Sequence, residues 1–128
     1  LLEKLSIFDE ELILRNNIAT YYSKNINEKF QKPHVPDQYV SSWAQYSLLA
    51  QTTSKKNKIM SSFRKAKIPV MIYYKIPLHL QKCNKSLKYK VGDFPIAEDL
   101  SARIFSIPMH PYLSIEKQDK ILEVLSNE

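Results

Sequence analysis

The 128 residues suffice for one domain with its own core and leave too little chain for two. A hydrophobic content of 44% excludes a disordered chain, and no apolar run approaches the roughly 20 residues that a membrane-spanning helix needs. The net charge of +6 is concentrated: between Gln38 and Gly92 lie eleven Lys or Arg and no Asp or Glu, whereas the two flanking segments are mildly acidic.

A basic middle of this kind points to an anionic partner: a phosphate-bearing small molecule, a nucleic acid or a membrane surface. The bland reading is a set of solvated surface lysines. Cys83 is the only cysteine, which excludes an internal disulfide and fits a reducing, cytoplasmic compartment. Gly92 is the only glycine, so a Gly-rich phosphate loop is excluded. The start, Leu1-Leu2-Glu3, carries neither an initiator methionine nor a basic-then-apolar leader, and reads as part of a longer or processed soluble protein.

Residues 1–28 read as one long helix, with Leu5, Phe8, Leu12, Ala19, Tyr22 and Ile26 at spacings of three and four. Arg15 shares that stripe, where an arginine lays its stem on the core and sends its head to solvent or a carboxylate. Pro33 and Pro36 make an extended connector. Ser42 to Gln51 alternates as a strand, with Ala44, Tyr46, Leu48 and Ala50 on one face. A helix is expected over 57–67, with Ile59, Met60, Phe63 and Ala66 inward and Pro69 as its stop. Val70 to Tyr74 reads as a second strand, and 76–91 as an irregular segment with five lysines, counting Lys75 at its entrance.

Gly92-Asp93-Phe94-Pro95 looks like a helix start in which Asp93 caps and Pro95 occupies the first turn. Ala97, Leu100 and Ile104 give that helix an apolar side. Phe105 to Pro108 reads as a short edge strand, because proline cannot donate into a central ladder. Ser114 caps a last helix with Ile121, Leu122 and Leu125 facing the core. The fold class is therefore α+β, a small two-layer domain with a few-stranded, mainly antiparallel sheet. Residues 1–30 form its leading helical segment and 31–128 its α+β body.

The chemistry is less explicit. His34, His79 and His110 are far apart, and none is paired with a cysteine, so metal spacing is absent. A Cys83–His79 nucleophilic pair has the spacing but no surrounding signature. No Ser-His-Asp arrangement can be argued, and no residue is assigned as catalytic, cofactor-binding or metal-ligating. The segment Tyr73 to Gln81 is different. A strand delivers two phenols, turns through Pro77, and leaves an imidazole and a carboxamide in the loop. Such groups at a strand end suit a hydroxyl-rich ligand, although half-buried tyrosines beside a capped loop would look the same.

Five motifs in order resemble the C-terminal end of the DegT/StrS-type sugar aminotransferases. They are Arg15-x-x-Ile18-Ala19-x-x-Tyr22, Trp43-Ala44-Gln45-Tyr46, Tyr74-x-x-Pro77-Leu78-His79-x-Gln81, Asp93 to Glu98, and Ser106 to Leu113. Lys75 stands where the family has a proline, Ile107 where it has leucine, and Lys67 where it has a helix-ending glycine. The resemblance implies the small C-terminal domain of a fold type I enzyme. It implies pyridoxal phosphate in the full-length parent and none bound to this part, because the cofactor's lysine precedes Leu1 in the family. It implies amino transfer, usually from glutamate, to a keto group of a nucleotide-linked sugar for polysaccharide or glycan precursors, in a homodimer without a membrane. By that resemblance Tyr73, Tyr74 and His79 contact the sugar or diphosphate, and this chain alone is inactive. The competing reading is a small basic nucleic-acid-binding module using Lys55 to Lys90 with Tyr73, Tyr74 and Tyr89 interleaved.

Overall fold

In the computed structural model, which describes residues 2–128, the leading helix comes in two pieces, α1 (Leu2–Ser6) and α2 (Phe8–Asn25). The Ser6 hydroxyl donates back to the Glu3 carbonyl at 2.7 Å where α1 ends. Asp9, Glu10 and Glu11 then load the first turn of α2, where carboxylates favour the helix dipole. The apolar stripe is buried only in its second half. Ile18, Ala19, Tyr22 and Ile26 are inside, while Leu5 and Phe8 stay exposed. Arg15 reaches the Glu11 carboxylate at 3.7 Å, as its place on the stripe predicts.

Strand β1 (Tyr46–Leu49) pairs antiparallel with β2 (Ile104–Ile107), with Tyr46 opposite Ile107 and Leu48 opposite Phe105. Those four side chains share one face and are almost wholly buried. Ala44, expected on the same face, is exposed because regular pairing begins two residues later. Helix α3 (Thr53–Lys65) supplies Ile59 and Phe63 to the core. Helix α5 (Ile115–Ser126) supplies Ile121 and Leu125. With Tyr22 from α2 they cover the sheet's apolar face, which is the two-layer α+β arrangement.

Three local expectations are corrected. Helix α3 starts four residues earlier than expected, because the Thr52 hydroxyl accepts the Lys55 N–H at 3.1 Å and caps it. The strand expected over Val70 to Tyr74 shrinks to one bridge, Met71 with Ser106. That bridge makes β2 interior, because Ser106 exchanges both backbone hydrogen bonds with Met71 on the side away from β1. Pro108 follows the last paired residue, so the ladder never requires its missing N–H. On the far side of β1, Leu49 is bridged to Gln31 in the same way.

The aromatic core is hydrogen-bonded as well as packed. Tyr22 and Tyr46 meet edge to face at 5.2 Å, and Trp43 stacks on Tyr46 at 5.4 Å. The Tyr22 hydroxyl donates to the Pro108 carbonyl at 3.0 Å, and the Tyr46 hydroxyl shares a hydrogen bond with Ser23 at 2.8 Å. Burial pushes the Tyr22 phenol far above its ordinary range, so it acts only as a neutral donor.

Candidate functional site

Helix α4 (Pro95–Arg103) carries its apolar residues toward the Tyr73-to-Gln81 segment rather than into the core. Between them lies an open cleft of about 550 Å³, lined by Tyr73, Tyr74, Ile76, Pro77, Leu78, Gln81, Ala97, Leu100, Ser101 and Ile104. Its size falls in the range of small-ligand sites. The walls are fastened by local chemistry. Ser101 donates to the Lys75 carbonyl at 3.1 Å, which ties α4 to the entry of the loop. Pro77 opens a single turn of 3-10 helix (Leu78–Leu80), and Asn84 donates back to the Leu78 carbonyl at 2.7 Å.

The structure brings Tyr73 and Tyr74 together on this cleft, with ring centroids 6.2 Å apart and planes at 80°. His79 it places elsewhere. Its ring is tucked behind the loop, 4.8 Å from the Phe94 ring, and its Nε2 lies 3.1 Å from Glu98 Oε1. The side chain is 8% exposed and is absent from the cleft lining. His79 therefore holds the wall and does not face the space it encloses.

Glu98 closes the Asp93-to-Glu98 motif, but the sequence assigns its side chain no role; the structure gives it a fastening one. Its carboxylate accepts the Gly92 N–H at 2.8 Å and the Phe94 N–H at 3.4 Å besides the His79 contact. The Gly92 N–H, above all, holds the carboxyl below the usual carboxylate range. Asp93, expected to cap α4, instead accepts the Lys90 N–H at 2.8 Å, and no side chain caps Phe94 in the usual geometry. The available signal was a glutamate four residues past Phe94, a near miss of the capping-box spacing.

The cleft lining contains no charged side chain, while Lys82, Lys85, Lys88 and Lys90 stand exposed on the adjoining loop. Of the eleven cations between Gln38 and Gly92, Lys58 pairs with Glu128 at 3.0 Å, and the rest are free of ion pairs among the described residues. The tyrosines do not form a base-stacking platform: Tyr73 and Tyr74 stand at right angles, and Tyr89 packs edge-on against Phe94.

A second cleft, near His34 and Arg103, is more polar, and two of its lining cations, Lys32 and Arg103, are already engaged. The Lys32 amine donates to Glu28, Ser23 and Ile26 oxygens, and Arg103 is held by Asp99 and the Ala50 carbonyl. Pyridoxal phosphate requires an amine within covalent reach and donors for its phosphate. The uncharged tyrosine cleft does not fit it.

Comparison with known proteins matches this architecture to part of known aminotransferases. An aminotransferase structure from Brucella abortus superposes with a TM-score of 0.89 at 39% identity, covering 99% of this chain and 33% of that one. A putative sugar aminotransferase from Streptococcus pneumoniae superposes at 0.88 with 25% identity, covering 98% of this chain and 32% of that one. A UDP-2-acetamido-2-deoxy-3-oxo-D-glucuronate aminotransferase from Pseudomonas aeruginosa is 30% identical over 128 residues, which are 99% of this chain and 34% of that protein. The family profile described as the DegT/DnrJ/EryC1/StrS aminotransferase family matches residues 1–126. The chain belongs to that family. It spans about a third of the length of the curated relatives it matches.

Proposed function

We propose that this chain is the C-terminal domain of a pyridoxal-phosphate-dependent aminotransferase and forms one wall of its sugar-nucleotide site. The observation that carries the reading is the uncharged cleft of about 550 Å³ with Tyr73 and Tyr74 at its mouth, set beside an unpaired lysine loop. Phenol hydroxyls and the Gln81 carboxamide both donate and accept, which matches the hydroxyls of a sugar. The lysines of the loop attract the diphosphate through long-range charge. Two relatives whose names carry nucleotide sugars, one UDP-linked and one dTDP-linked, support that substrate class.

In the full-length enzyme pyridoxal phosphate supplies the electron sink for amino transfer, and the residues of this chain hold and orient the sugar. Tyr73 and Tyr74 are the direct contacts. His79 acts on the sugar indirectly, by fixing the loop through Glu98. Glutamate is the amino donor in this reading, a homodimer is the working assembly, and precursor synthesis for surface polysaccharide or glycan in the cytoplasm is the setting. Among the described residues no helix is long and apolar enough to cross a membrane.

Steady-state kinetics of the full-length enzyme test the assignment. Tyr74→Phe and His79→Ala are each expected to raise KM for the sugar nucleotide more than they lower kcat. Unchanged constants in both variants would remove the assignment.

A further inference from the structure

Away from both the tyrosine cleft and the cleft near His34, the end of α3 and the start of α5 enclose a further groove of about 410 Å³. Its floor is apolar: Leu113 and Ile121 are core residues, and Ile68 packs beside them. Its rim is cationic, with Lys67 from the end of α3 and Lys117 and Lys120 from α5, and the His110 ring of the preceding turn also lines it. No Asp or Glu lines it, and none of the three lysines forms an ion pair among the described residues. The nearby Asp119 turns away and accepts the Tyr21 hydroxyl of α2 at 2.6 Å.

Lys67 adds an independent observation. Its backbone is left-handed, with φ +56, at the position just past α3 where glycine is the unstrained residue. The Lys67 N–H reaches the Arg64 carbonyl and the Ile68 N–H the Phe63 carbonyl, each at 3.0 Å, so the conformation is fixed by the helix end. A lysine held in that conformation carries its amine on the rim of the groove at a cost in stability that glycine would avoid.

We propose that this groove binds an amphipathic anion, its apolar tail on Ile68, Leu113 and Ile121 and its carboxylate or phosphate among Lys67, Lys117 and Lys120. The tail removes apolar floor from water, and the head receives charge-assisted hydrogen bonds from amines with no competing partner. Neither half of the site suffices alone: an uncharged alkyl group leaves the lysines as they were, and an inorganic anion leaves the floor exposed.

Calorimetric titration of the 128-residue protein with octyl phosphate, octanoate, octanol and inorganic phosphate tests this, with amide shifts mapping the site. Saturable binding is expected for octyl phosphate or octanoate, and their ratio tells which head group is preferred. Octanol and inorganic phosphate are expected to give none. The shifts should centre on Ile68, Leu113 and Ile121. Lys117→Gln with Lys120→Gln should weaken binding by about tenfold or more. Lys67→Gly should weaken it too while melting no lower than the parent, which separates a lost amine from a lost fold. Undiminished affinity in these variants, or shifts centred on the Tyr73–Tyr74 cleft, would overturn the proposal.

Discussion

The 3.1 Å contact between His79 Nε2 and Glu98 Oε1 joins the loop after Pro77 to the first turn of α4, the two segments that wall the tyrosine cleft. Glu98 reaches the same turn from the other side through the Gly92 and Phe94 N–H groups. One carboxylate thus fastens three stretches of chain that share no strand pairing.

Because its folded-state pKa is lowered, Glu98 contributes stability that is complete above the unfolded carboxyl's range, near 4.5. That contribution is lost as pH falls through the lower, folded value. Glu98→Gln keeps the shape but cannot titrate, so its melting temperature should lie below the parent's at neutral pH and converge with it in acid. Thermal melts from neutral pH to pH 3 measure this. A constant offset across the range would show that the charge plays no part.

Lys67 permits a separation of strain from chemistry. Lys67→Gly should stabilise the protein by about 1 kcal/mol, since glycine removes the left-handed penalty at the end of α3. Lys67→Ala retains that penalty and should change stability by less than about 0.5 kcal/mol. Urea unfolding of the two variants and the parent compares them directly. Equal stability in all three would mean that the turn is unstrained.

Much of the fold was legible in periodicity and in proline. The 3–4 spacing located α2 and α5, and the alternation through Tyr46, Leu48 and Ala50 located β1. Val70 to Tyr74 was misread because β-branched and aromatic residues mark a strand only where a partner is free, and β2 offers Met71 a single residue's pairing. Leu5 and Phe8 followed the stripe yet remain exposed, since periodicity shows which face is apolar and not what covers it. Tyr73 and Tyr74 stand out in the sequence as two phenols ahead of a proline-containing loop, and the structure sets both on the lining of one cleft. Glu98 was hidden because its meaning depends on a contact nineteen residues away.

The Tyr22 hydroxyl is the link between α2 and the chain leaving β2, through the Pro108 carbonyl. Tyr22→Phe removes the donor and little volume, and should cost about 1–2 kcal/mol, the range for stranding a buried acceptor. Tyr22→Ala should cost about 3–5 kcal/mol, because the ring fills the centre of the core against Tyr46. Chemical denaturation gives both values. If the phenylalanine variant matched the parent, water would be satisfying Pro108 in place of the phenol.

Ala97 offers the cleanest test of whether the cleft is the working surface. It sits on α4 with its methyl exposed into the cleft and supports nothing in the core. Ala97→Trp fills the space opposite Tyr73 and Tyr74, and its effect on folding should stay within about 0.5–1 kcal/mol, the helix-propensity difference plus ordinary surface variation. Sugar-nucleotide binding, followed by KM in the full-length enzyme, should weaken by about tenfold or more, since an indole occupies volume the sugar requires. Ala97→Ser adds one hydroxyl and should leave KM within about twofold. A tryptophan variant that melts like the parent and binds sugar nucleotide equally well would show that the ligand lies elsewhere, leaving Tyr73 and Tyr74 as wall residues of an empty groove.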